Sequence, residues 1–192
     1  MWCCKGAQLP NAKLDQSQLL IELLKREHLG SVKAFSCGRE DEDEFLHTDA
    51  LPNQNVKLSE TYLLLEKGKS KIISYITITV GSFNLSGEKK FHNVKIMDKP
   101  YRVYANHMPC LLVGKLATDK SEAGRGGATY LIDYAIKKAL DANLPIPFIA
   151  LHAYPDMVSF YQKLGFNIAF SPLKTARTVT VYMEIPHKIK PV

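Results

Sequence analysis

The chain has 192 residues, 46% hydrophobic and 23% charged, and a formal charge of +6. That length and balance specify one soluble globular domain over 1–192, with a core that needs no disulfide or metal staple. They exclude a disordered chain and a helical membrane span, since no apolar run approaches the roughly eighteen residues a span requires.

The opening Met1-Trp-Cys-Cys-Lys-Gly6 has neither the apolar core nor the small-residue cleavage site of a secretory leader, so a cytoplasmic protein is expected, with residues 1–10 loose. Cys3, Cys4, Cys37 and Cys110 show no C-x-x-C spacing; no metal site is expected, and Cys37 and Cys110 read as small buried hydrophobes. Residues 15–28 place Leu19, Leu20, Ile21, Leu23 and Leu24 on a helical period that stops at Gly30. A second helix is predicted over 40–47. It opens on Glu40-Asp-Glu-Asp-Glu44, read as a solvated helix start whose negative charge complements the dipole. Two strands follow at 61–66 and 71–80, with Lys67-Gly68-Lys69 as the hairpin turn between them. Residues 81–107 read as a long irregular loop containing Lys89, Lys90, Lys95, Lys99 and Arg102, a basic stretch suited to an anionic ligand, a nucleic acid or mere solubility.

An apolar strand running to Thr118 comes next, then a glycine-rich turn and a long helix. After Gly126 the apolar residues fall at Ala128, Leu131, Ile132, Ala135, Ile136, Ala139 and Leu140, one face of a helix. Gly124, Gly126 and Gly127 let the turn take dihedrals closed to other residues and bring amides together at a helix N-terminus. Orphan N–H groups and the positive dipole end there favour a phosphate. Two common phosphate loops fit poorly. No lysine follows Gly126 or Gly127, as a triphosphate loop demands, and a dinucleotide fingerprint fails at Thr129 and lacks an acid after the next strand. A plain glycine-rich corner is the alternative on spacing alone. That next strand, 147–152, ends at His152. A short helix carrying Tyr161 follows, closed by Gly165, and strands near 166–170 and 177–185 end the chain.

The turn together with Ser159-Phe-Tyr-Gln-Lys-Leu-Gly-Phe166 resembles the GNAT superfamily of N-acetyltransferases, in which a Q/R-x-x-G-x-G/A turn binds the pyrophosphate of acetyl-coenzyme A and a following Phe-Tyr-x-x-x-Gly-Phe helix often supplies a catalytic tyrosine. Gly126 and Ala128 match that turn; Ala123 departs from it. Phe35-Ser-Cys-Gly-Arg-Glu40 with Phe45-Leu46, and Gly114-Lys-Leu-Ala-Thr-Asp119, are similar to a bacterial branch that includes toxin-like members.

The resemblance implies an α/β (α+β) GNAT fold, a mixed and mostly antiparallel sheet with two splayed parallel strands, flanked by helices. It implies acetyl-coenzyme A as cosubstrate and direct attack by a primary amine. Leu116, Ala117 and Thr118 would line the pantetheine arm, and Ala123, Gly124, Arg125, Gly126, Gly127, Ala128 and Thr129 would bind the pyrophosphate. Tyr161 is the implied general acid. His152 is a candidate base, because residues 110–118 hold no carboxylate. Acceptors in view are a small-molecule or protein amine, the reading in front on the basic loop alone, and the α-amine of an aminoacyl-tRNA. No membrane partner is expected, and a homodimer is compatible. The rival reading is a non-catalytic acyl-coenzyme A binding module, motivated by Ala123 and the missing carboxylate.

Overall fold

A computed structural model describes residues 13–84, 92–96, 99–103, 107–142, 145–169 and 177–186. The expected loose start at 1–10 and the basic pair Lys89 and Lys90 lie outside them. Strands are β1 (Leu19–Leu23), β2 (Glu60–Glu66), β3 (Ile72–Asn84), β4 (His92–Ile96), β5 (Lys99–Val103), β6 (His107–Thr118), β7 (Phe148–Ala153), β8 (Asn167–Ile168) and β9 (Val179–Glu184). Helices are α1 (Leu29–Ala34), α2 (Glu40–Glu44), α3 (Ala50–Asn55), α4 (Gly127–Asp141) and α5 (Val158–Lys163). One sheet has the order β1-β2-β3-β6-β7-β9-β8, and β4 pairs with β5 apart from it. β6 and β7 run parallel, from Cys110↔Phe148 to Val113↔Leu151, whereas β1–β2, β7–β9 and β8–β9 are antiparallel. This is the mixed, mostly antiparallel sheet flanked by helices that the sequence implied. Contacts group the chain into two compact units, 1–76 with 115–131 and 77–114 with 132–192.

The first unit corrects the helix expected over 15–28. Leu19-Leu20-Ile21 is a contiguous apolar run, ambiguous between the two periodicities. It is a strand because β2 offers a full ladder, from Leu19↔Glu66 to Leu23↔Tyr62. Gly30, expected as a helix stop, lies inside α1. The second helix also runs past His47. A π-helical turn over Phe45–Asp49 joins α2 to α3, just ahead of Pro52, whose ring supplies no amide to the helix ladder. Around Phe35, Leu46, Leu63 and Leu65 a core forms, and Tyr75 donates its hydroxyl to the Glu42 carbonyl at 2.7 Å.

The acidic run is only partly a solvated helix start. Glu42 is buried and ion-paired to Lys115 at 2.9 Å. Asp43 accepts from Ser36 Oγ at 2.8 Å and from the Cys37 amide at 2.7 Å, fixing the loop before α2. Burial alone would raise the Asp43 carboxyl; these bonds and one from the Gly38 amide hold it below the usual carboxylate range.

The second unit corrects the loop expected over 81–107. β3 continues to Asn84, β4 and β5 pair from His92↔Val103 to Ile96↔Lys99, and β6 already begins at His107. Leu112 packs onto the bare backbone of Gly81, where an added Cβ would lie 3.1 Å from its own Cβ, so the glycine extends the strand rather than ending it. Phe83, Met108, Cys110, Phe148 and Ala150 form the core, with Tyr182 stacked on Phe83 at 4.9 Å. On α4, Leu131, Ile132, Ala135 and Ala139 are buried and Ala128 and Ile136 half-buried, as the helical spacing predicted, whereas Leu140 at the last turn is exposed. No helix among the described residues is long and apolar enough to cross a membrane.

Candidate active site

The glycine-rich corner belongs to the first unit. Where β6 ends, Asp119 caps a 3-10 turn over Lys120–Glu122 by accepting from the Ser121 amide at 3.0 Å and from its hydroxyl. It also accepts from the Ser36 amide at 3.2 Å, while its own amide bonds the Ile73 carbonyl at 2.9 Å. Burial pushes this carboxyl up, but the Ser121 and Ser36 bonds and the nearby Lys71 charge outweigh burial and hold it low.

Glu122 lies between two cations. Lys71 Nζ is 2.6 Å from Oε1, and the Arg125 guanidinium grips Oε2. Lys71 also donates to Ser121 Oγ at 2.7 Å. Burial again acts to raise the Glu122 carboxyl, and the two cations override it. A half-buried acid between two bases stays ionised and anchors the turn that carries Arg125.

Gly124 has φ +79° and Gly126 φ +94°. Both, like Ala123, are exposed, and a Cβ built on either glycine would meet nothing within 4 Å. The backbone therefore takes a conformation costly to other residues and leaves its front open. Gly127 is buried and starts the 15-residue α4, long enough for a developed dipole at its N-terminus. Arg125, Ala128 and Thr129 are half-buried. An exposed, uncrowded glycine corner at a helix N-terminus, beside a fixed guanidinium, fits a diphosphate group. Along β6, Ala117 is buried while Leu116 and Thr118 are half-buried.

The second unit holds the other two candidates. Tyr161 sits in α5 at 7% exposure, its ring edge-to-face with Phe160 at 5.1 Å and Phe166 at 5.6 Å. The helix closes as the sequence predicted. Gly165 has φ +93°, its amide bonds the Gln162 carbonyl at 3.0 Å, and the Phe166 amide bonds the Tyr161 carbonyl at 3.0 Å. His152 is exposed on β7, with Nδ1 3.1 Å from Thr180 Oγ1 across the ladder.

Sequence reasoning missed three residues around the turn. Glu122 had a signal, its i,i+3 spacing from Arg125. Lys71, just before the distant strand β3, and Ser74 within it had none. Burial pushes the thiols of Cys37 and Cys110 up to about 11; Cys110 is buried, as expected, whereas Cys37 is half-buried. Glu22, Glu27 and His28 bring potential metal-ligand atoms within 4.8 Å. Their geometry is that of a hydrogen-bonded imidazole. His28 Nδ1 accepts the Lys25 amide at 3.0 Å, so Nε2 carries the proton given to Glu22 at 2.9 Å.

No family model matches the chain. A tRNA-acetylating toxin of Mycobacterium tuberculosis (strain ATCC 25618 / H37Rv) is 28% identical over 144 residues, covering 72% of this chain and 79% of that relative. A crystal structure of AtaTR bound with acetyl-coenzyme A superposes with a TM-score of 0.66 at 23% identity, over 88% of this chain and 95% of the other. AtaT complexed with acetyl-methionyl-tRNAfMet gives 0.64 at 23% identity, over 86% and 94%. The chain therefore has the fold of these GNAT toxins, and its resemblance is to that toxin-containing branch.

Proposed function

We propose that the chain is an acetyl-coenzyme A-dependent N-acetyltransferase whose acceptor is the α-amine of an aminoacyl-tRNA. The observation that carries the reading is the corner at Gly124 and Gly126, with left-handed backbone and an open front at the head of α4. The acceptor rests on the 28%-identical relative, named for acetylating tRNA, and on the like-folded AtaT complex with an acetylated aminoacyl-tRNA. Those two observations move tRNA ahead of the small-molecule or protein amine.

Acetyl-coenzyme A supplies an activated acyl group and a thiol that leaves. Backbone amides from Gly124 to Thr129 hold the pyrophosphate, and Arg125 adds charge that Glu122 keeps in place. Backbone groups of Leu116, Ala117 and Thr118 align the pantetheine arm. The acceptor amine attacks the thioester carbonyl carbon, so a C–N bond forms and the C–S bond breaks. Tyr161 gives its phenolic proton to the departing sulfur. An α-amine has a pKa of about 7.7–8.0, so a useful fraction is already neutral at physiological pH and a dedicated carboxylate on β6 is unnecessary. His152 is the side chain to test as acceptor of the remaining proton.

The second reading, a binding module without turnover, is favoured by Ala123 and by the absence of an acid in 110–118. A salt series separates the cases. With charged tRNA as acceptor, KM should rise steeply with salt as counterions are released from phosphates. A flat series for tRNA with faster acetylation of a small amine overturns the tRNA acceptor, and acetyl-coenzyme A binding without turnover of any amine favours the module.

A further inference from the structure

Gly127 differs from the two glycines before it. A Cβ there would collide with Ser74 Oγ, and it would also lie 3.3 Å from Ile73 Cγ2 and 3.4 Å from Ser74 Cβ. Ser74 is fully buried in β3, and its hydroxyl is held 2.8 Å from Thr118 Oγ1 at the end of β6. A free serine rotor would swing aside from an added methyl group at little cost. This one is buried and tied by its hydroxyl to Thr118, so a methyl group at Gly127 has to break that pair to displace it. The amide of Tyr130 bonds the Gly126 carbonyl at 3.0 Å, which ties the position of the first helical turn to the same seat.

We infer that Ser74 is a positioning residue for the donor site: its hydroxyl, braced by Thr118, seats the backbone of Gly127 and sets how deeply the N-terminal amides of α4 meet the anion. The inference rests on the reading of the corner as an acetyl-coenzyme A cradle. Packed interiors pass small displacements on rather than absorb them, so a methyl group at this point moves the head of the helix. Small misplacements of binding groups translate into large losses of productive geometry.

The test is a coupling measurement by isothermal calorimetry with acetyl-coenzyme A, joined to steady-state kinetics, on Ser74→Ala, Gly127→Ala and the double variant. Gly127→Ala should weaken binding by about tenfold or more. Ser74→Ala, which loosens the seat without filling it, should weaken binding by about three- to tenfold and raise the donor KM with kcat little changed. In the double variant the new methyl group occupies the space of the deleted hydroxyl, so binding should return to within about threefold of Ser74→Ala.

Additive losses, or a Ser74→Ala protein with parental KM, overturn the inference. Should Gly127→Ala alone fail to fold, recovery of a folded, binding double variant demonstrates the same coupling, and failure of both refutes it. A parent protein that binds no acetyl-coenzyme A, or a Gly126→Val variant that binds as well as the parent, overturns the cradle reading and this inference together. Parental binding lost in Gly126→Val, with additive Ser74 and Gly127 effects, overturns this inference alone.

Discussion

Two corners of the molecule are built on glycines with nearly the same left-handed backbone and do opposite things with it. At Gly124 and Gly126 the space that a Cβ would take is open, and the backbone is exposed at the head of a 15-residue helix. At Gly165 the amides are consumed in closing α5, and the missing Cβ faces Met183 Sδ at 3.5 Å. A positive φ therefore does not mark a binding site. What distinguishes the first corner is exposed backbone with room in front of it at the head of a long helix. The first corner is assigned to affinity, and the second holds the side chain assigned to rate.

That division is sharpest at Tyr161. Tyr161→Phe keeps the ring between Phe160 and Phe166 and deletes only the hydroxyl, so acetyl-coenzyme A should bind as before while kcat falls by about 10²–10⁴-fold. An unchanged kcat in stopped-flow or endpoint assays makes Tyr161 a packing residue. Gly126→Val should act on the other side of the division. It places a β-branched residue at φ +94° and a side chain in the open front. Affinity should drop by at least about 100-fold, and the thermal shift given by saturating acetyl-coenzyme A should vanish. Gly165→Ala should lower stability by roughly 1–2 kcal/mol in urea unfolding and leave donor affinity within about twofold. Loss of affinity there instead would join the two corners functionally and break the contrast.

The smallest expected effect concerns acid. Asp43, Asp119 and Glu122 all have carboxyls held below their ordinary values by hydrogen bonds or cations. A lowered folded pKa means the folded state binds fewer protons than the unfolded one as pH falls. Their stabilisation is complete above the unfolded carboxylate range of about 4 and drains as pH drops through the lowered values. Asp119→Asn should reduce Tm at pH 7 by about 2–4 °C and flatten the acid limb of the Tm–pH curve. A parallel acid limb means Asp119 contributes nothing through its charge.

Much of this was legible in the sequence, for identifiable reasons. Glycine spacing ahead of an apolar helix face announced the turn and α4, and Gly165 announced the end of α5. In both cases the deciding interactions are local. Residues 15–28 were misread because Leu19-Leu20-Ile21 satisfies either periodicity, and the choice was made by a partner strand some forty residues on. The ribbon of β4 and β5 was hidden for the same reason: its stability lies in pairing, not in alternation. Ser74 was invisible because its importance is a collision with a residue more than fifty positions away, and no spacing rule encodes a collision.

The central claim is that this chain moves an acetyl group from acetyl-coenzyme A to the α-amine of an aminoacyl-tRNA. The direct measurement is mass spectrometry of the aminoacyl adenosine released from charged tRNA after incubation with the enzyme and isotopically labelled acetyl-coenzyme A. The account predicts a labelled N-acetyl aminoacyl product that accumulates with the parent enzyme and falls by about 10²-fold or more with Tyr161→Phe. Charged tRNA returned unacetylated under conditions where labelled acetyl-coenzyme A is bound would contradict it.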